Sequence, residues 1–130
     1  MNWEGADIVF FDCDSTLSTV EGIDELATRR GVDVSAATTA AMSGDVPLEE
    51  IYAQRIRLVA PTNEDFEWLI GRYRATAAPG ATEVVAALGQ LGIQARVLSG
   101  GLYPSVAPFA EALGFPPGSV DAVPYDTSDP

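Results

Sequence analysis

The sequence holds 130 residues, 47% of them hydrophobic and 8% aromatic, which suits one domain with its own core and not a disordered chain. Its formal charge of −12 argues against nucleic acid and anionic membranes as partners. All seven basic residues are arginine and histidine is absent, which excludes a Ser-His-Asp triad, a His-bearing zinc site, a phosphohistidine, a Schiff-base lysine and a Walker-type phosphate loop.

The N-terminus, Met1 to Asp7, carries no basic or signal-type apolar segment, and no apolar run approaches the ~20 residues that span a bilayer. A cytoplasmic protein is expected. The first element is the run Ile8-Val9-Phe10-Phe11, which lacks alternation and reads as a strand buried on both faces of a parallel sheet. Asp12-Cys13-Asp14-Ser15-Thr16 follows at its C-terminal edge, where open α/β sheets place their ligand sites. In extended backbone, residues i and i+2 point to one side, so Asp12 and Asp14 project into one small volume and repel each other unless a cation lies near. The other reading of the same residues is an Asp-rich turn with Ser15 or Thr16 capping a helix. Cys13 is the single cysteine, so no internal disulfide or multi-cysteine zinc site can form. Thr19 stands where a Cys-x₅-Arg phosphatase loop needs arginine, and Cys13 reads as a small apolar filler turned away from the two aspartates.

Helices come next. Gly22 to Arg30 gathers Ile23, Leu26 and Ala27 on one face, with Gly31 as its stop. Pro47 suits the first position of a second helix, with Glu49 and Glu50 in its first turn and Leu48, Ile51, Tyr52 and Val59 as its apolar set. Thr62 can cap a third, with Asp65 as the reciprocal residue and Phe66, Leu69, Ile70 and Tyr73 at helical spacing. Pro79-Gly80 then breaks the chain. A helix from Thr82 to Leu91, a strand from Ile93 to Leu98 closing on Ser99-Gly100-Gly101, a helix from Tyr103 to Leu113 with an awkward Pro108, and a strand within Val120 to Tyr125 complete a β-α-β-α-β order. That order predicts an α/β fold with a Rossmann-like parallel sheet. The helical stretch after the first strand is far longer than a ~2–6-residue βα loop. It reads as a cap domain over the carboxylates, or else as a helical packing layer without function. The expected division is residues 1–17 and 79–130 as core and 18–78 as cap.

Ser99-Gly100-Gly101 offers a hydroxyl and backbone N–H groups that can approach an anion. Alone it is a common turn. With Asp12-Cys13-Asp14-Ser15-Thr16-Leu17, Glu21 to Ala27, Met42-Ser43-Gly44-Asp45-Val46-Pro47-Leu48, Arg55 and Pro79-Gly80, it resembles the haloacid dehalogenase (HAD) superfamily of phosphotransferases, and within it the phosphoserine phosphatase branch.

The resemblance implies a Mg²⁺-dependent phosphomonoester hydrolase, with O-phospho-L-serine as substrate and a role in serine biosynthesis. Asp12 would be the nucleophile that becomes an aspartyl-phosphate, and Asp14 the acid and then the base. Asp12 and the backbone carbonyl at Asp14 would hold the metal. Ser99, Gly100 and Gly101 would hold the phosphoryl oxygens, Glu21 the ammonium and Arg55 the carboxylate, with Met42 and Ser43 lining the lid. Other HAD substrates, or phosphate binding without turnover, are the alternatives, and a homodimer stays open. The chain departs from the resemblance in three ways: Leu48 stands where relatives often carry an aromatic residue, there is no lysine to neutralise the phosphoryl group, and there is no Gly-Asp-Gly-x-x-Asp segment to complete the metal shell. The HAD-like core is therefore expected to be incomplete, the chain belonging to a longer parent or needing a partner. The first strand would then be a hydrophobic edge.

Overall fold

The computed structural model describes residues 4–35, 39, 43, 44 and 46–128. Three parallel strands lie in the order β1 (Ile8–Phe11), β2 (Gln94–Leu102) and β3 (Val120–Val123). Ile8 to Phe11 pair with Gln94 to Val97, and Val97 and Leu98 pair with Val120 and Asp121. The helices whose full course lies in the described residues are α1 (Gly22–Arg30), α2 (Leu48–Val59), α3 (Asn63–Ala75), α4 (Ala81–Gln90) and α5 (Tyr103–Ala112). The α/β class, the parallel sheet and the helical insertion after β1 agree with the sequence reading.

Each boundary has a local cause. Gly31 adopts φ 67° and donates its N–H to the Ala27 and Thr28 carbonyls, ending α1. Thr62 and Asp65 form the expected capping box at α3. Pro47 sits one position earlier than expected, as the residue flanking α2, and Ala60 ends that helix at φ 45°. α5 runs through Pro108 without a break. β2 is longer than expected: strand conformation continues through Ser99-Gly100-Gly101 to Leu102, with an irregular register against β3 between Leu98 and Leu102. The predicted turn is thus a kinked strand end.

Alternation along β1 and β2 puts Val9, Phe11, Ala95 and Val97 on one face. There Phe11 meets Phe115 edge-on with ring centroids 5.6 Å apart, and Val97, Val106 and Phe109 are fully buried. The other face keeps Ile8, Phe10 and Leu98 exposed, at 42%, 56% and 60%. One face of β1 is thus uncovered among the described residues, against the double cover that its unbroken apolar run suggests, and in the order β1-β2-β3 the strand is the hydrophobic edge expected of an incomplete core.

The insertion is fastened at its neck. The Thr19 N–H donates to the Thr76 carbonyl at 2.9 Å, the Ala78 N–H to the Leu17 carbonyl at 2.8 Å, and the Ser18 and Thr76 hydroxyls meet at 2.9 Å. Inside it, Arg55 pairs with Asp24 at 2.9 Å, joining α2 to α1, and Arg72 pairs with Glu25 at 3.2 Å, joining α3 to α1. Asp65, 4% exposed, takes Arg29 and Arg30 at 3.0 Å each as well as its own cap contacts from Thr62. α3 also packs on α5, where Tyr73 stacks on Phe109 with centroids 5.1 Å apart. The insertion and the sheet helices share one hydrophobic cluster.

Candidate active site

Asp12 leaves β1 in extended backbone (φ −77°, ψ 162°), its Oδ1 accepting the Cys13 N–H at 2.7 Å. Cys13 to Leu17 then form one wide helical turn, closed by the Ser18 N–H on the Cys13 carbonyl at 3.1 Å. The turn is not regular. Asp14 stays extended (φ −66°, ψ 130°) and Ser15 takes the left-handed region (φ 58°, ψ 18°), where a non-glycine residue is strained. Two hydrogen bonds hold Ser15 there: its N–H to the Val20 carbonyl at 3.2 Å and its hydroxyl to Glu21 Oε1 at 2.7 Å. The strain brings Asp12, Asp14 and Glu21 to one opening. Cys13 points away and is fully buried; burial first, and then the charges of Asp14 and Asp12, push its thiol pKa far up, so it is no nucleophile.

These residues line a cavity of about 230 Å³ at the C-terminal end of β1. Asp12, Asp14, Glu21, Arg55, Gly100 and Gly101 of the sequence reading line it together. Ser99 does not; it is buried, and its Oγ accepts the Gly101 N–H at 2.9 Å. Ser43 is exposed and apart from the lining, and Met42 lies outside the described residues. Arg55 is the one cationic side chain among the described lining residues, facing three carboxylates. Its Nη2 is used by Asp24, while its Nε is buried and has no hydrogen-bond partner among the described residues.

Two tyrosines complete the walls. Tyr73, 1% exposed, donates its hydroxyl to Asp14 Oδ1 at 2.6 Å, and the Gly22 N–H reaches the same oxygen at 2.8 Å. Burial first, then the charge of Asp14, keeps the Tyr73 phenol protonated far above its ordinary range. Tyr52 donates its hydroxyl to the Gly100 carbonyl, and burial, with the Asp14 charge adding to it, pushes its pKa up to about 12. Both had been read only as members of apolar helix faces. The available signal was that a tyrosine on such a face buries a hydroxyl, which then needs a partner. Gly101 is required by close approach: a Cβ there would lie 2.9 Å from both Asp14 Oδ2 and Val106 Cγ2.

A strand-end carboxylate with one free oxygen, a second carboxylate held by donors on one oxygen only, and a guanidinium whose Nε–H meets no acceptor among the described residues suit chemistry on a small zwitterionic phosphate ester. No family model matches the chain. It is 39% identical to the phosphoserine phosphatase of Bos taurus over 119 residues, which is 90% of this chain and 53% of that protein. A solved structure of a phospho-aspartyl intermediate analogue of phosphoserine phosphatase superposes with a TM-score of 0.71 at 31% identity, over 93% of this chain and 56% of the other. A HAD-family hydrolase from Salmonella enterica serovar Typhi gives a TM-score of 0.84 at 24% identity, over 93% and 42%, a likeness of fold. The fold is the α/β fold of these hydrolases, in line with the expected haloacid dehalogenase-like core. Within it the chain resembles phosphoserine phosphatase. It spans about half the length of the curated relatives it matches.

Proposed function

We propose that this chain carries the nucleophile and the substrate pocket of a phosphoserine phosphatase. The observation that carries the reading is the convergence of Asp12, Asp14, Glu21 and Arg55 on one cavity at the end of β1. Arg55 meets the carboxylate of O-phospho-L-serine and Glu21 its ammonium, and the phosphoryl group lies between Asp12 and the glycines of β2. Residues 18–78 act as the cap, a division that the hydrogen-bonded neck supports. A place in L-serine biosynthesis and a cytoplasmic location belong to the same proposal.

The Oδ2 atoms of Asp12 and Asp14 accept no hydrogen bond among the described residues. Asp12 Oδ2 attacks phosphorus as the bond to the serine oxygen breaks, and Asp14 Oδ2 gives that oxygen its proton. Asp14 then takes a proton from the water that attacks the aspartyl-phosphate, which frees Asp12 and inorganic phosphate. Gly22 and Tyr73 hold Oδ1 throughout, so the proton travels on the oxygen beside Gly101.

Among the described residues no group of three or more His, Cys, Asp or Glu side chains converges as a metal cage. The carboxylate of Asp12 and the backbone carbonyl of Asp14 nevertheless fit Mg²⁺, which usually takes one or two carboxylates, with water and substrate phosphate as the rest. These two groups would hold it, leaving Asp14 Oδ2 to carry the proton. When bound it would offset the repulsion between a phosphate and three acidic side chains.

The test is phosphate release from O-phospho-L-serine with Mg²⁺, comparing this chain with Asp12→Asn. Release above that of Asp12→Asn supports the reading; equal release from the two rejects turnover through Asp12. Arg55 being the one lining cation favours a second reading, phosphoserine binding without turnover, and calorimetric binding with no release would establish it.

A further inference from the structure

Tyr52 and Arg55 are three residues apart on α2 and so share a helix face. Both line the cavity, and the Tyr52 hydroxyl crosses from α2 to the Gly100 carbonyl on β2. Arg55 is held at its other end by Asp24 of α1. The helix is therefore pinned on both sides of the cavity, to the sheet by Tyr52 and to the insertion by Arg55. Between the pins sits the Nε of Arg55, buried and without a partner among the described residues. A buried N–H without an acceptor is costly, and it gains most from a ligand that brings a carboxylate.

We propose that Tyr52 is a positioning residue for substrate selection: its hydroxyl, held by the Gly100 carbonyl, fixes the face of α2 so that Arg55 Nε–H meets the carboxylate of a phosphorylated amino acid. The inference rests on the proposed function and adds to it the residue that sets Arg55. It requires phosphomonoesters that differ only in the carboxylate to be told apart through Tyr52, which itself touches the sheet and not that group.

The experiment is calorimetric titration of the chain with O-phospho-L-serine and with O-phosphoethanolamine, which lacks the carboxylate, for the parent sequence and Tyr52→Phe. The parent is expected to prefer phosphoserine. In Tyr52→Phe phosphoserine binding should weaken about five- to tenfold, as for one lost hydrogen bond, while phosphoethanolamine binding changes less than about twofold. Equal loss for both ligands, or an unchanged preference, overturns the proposal. Should Tyr52→Phe fail to fold, the Nε–H NMR signal of Arg55 in the parent decides: it should shift with phosphoserine and not with phosphoethanolamine, and a signal that ignores phosphoserine overturns it. A parent chain that binds neither ester rejects the proposed function. One that binds both alike rejects only the selection by Arg55 and Tyr52.

Discussion

The Tyr73 hydroxyl lies 2.6 Å from Asp14 Oδ1, so the last helix of the insertion donates directly to a carboxylate at the edge of the sheet. A carboxylate with one oxygen saturated by two donors has one orientation and one free oxygen, which is what a proton carrier needs. Packing supports the contact as well, since the Tyr73 ring is stacked on Phe109.

Tyr73→Phe keeps that stacking and removes one donor. Unfolding in urea should show a loss of about 2 kcal/mol, the scale of a hydrogen bond to a charged acceptor. Phosphate release should fall on the order of tenfold with phosphoserine affinity little changed, because Asp14 loses its orientation and not its presence. Unaltered turnover and stability would mean that the Gly22 N–H suffices.

Gly101→Ala tests the other oxygen. The added methyl would lie 2.9 Å from Asp14 Oδ2 and Val106 Cγ2 and 3.1 Å from Ser99 Oγ. Overpacking of this kind costs about 1–3 kcal/mol. Binding of phosphoserine should fall by more than that stability loss explains, as seen by titrating the variant well below its unfolding temperature. A variant that binds normally would place the phosphoryl group away from β2.

Asp65 ties α1 to α3, and its carboxyl feels opposing influences. Burial raises its pKa, but the Thr62 N–H, the Arg29 guanidinium, the Thr62 hydroxyl and the Arg30 charge together leave it below the ordinary 3.8. The folded state thus keeps the charge at acidities where the unfolded chain takes up a proton. The stabilisation is complete above pH 3.8 and disappears as pH falls through the lower folded value. Asp65→Asn should lose about 2 kcal/mol at neutral pH, because Arg29 and Arg30 lose their charged hydrogen-bond acceptor while Arg29 keeps Glu64 and the Trp68 ring. Its stability should also decline less steeply on acidification below pH 3.8 than that of the parent, which unfolding followed by circular dichroism can measure.

Local chemistry was readable in the sequence. Gly31, the Thr62–Asp65 box and the strand-end aspartates each need only a few neighbouring residues to define them, and each stands where the pattern put it. Destinations across the fold were not readable. Helical spacing put Tyr52 and Tyr73 on apolar faces, but which acceptor each hydroxyl meets depends on how α2 and α3 lie against the sheet. Ser99-Gly100-Gly101 looked like a turn because glycine usually breaks strands, yet pairing with β3 resumes at Leu102 and keeps it extended. The apolar run of β1 implied cover on both sides, which composition alone cannot supply when the sheet ends there.

The fastened neck has a consequence for how such a chain can change. Leu17 and Ala78 stand side by side, joined by a hydrogen bond of 2.8 Å. From the viewpoint of the sheet, the whole helical insertion begins and ends at one point, like a short hairpin. Closure entropy grows only with the logarithm of length, so lengthening the insertion beyond that point costs β1 and the turn after it very little, provided that the contacts of Tyr73 with Asp14 and Phe109 are kept. On the proposed function, the stretch that carries Glu21 and Arg55 is then free to change in length while the Tyr73 contact keeps Asp14 in place.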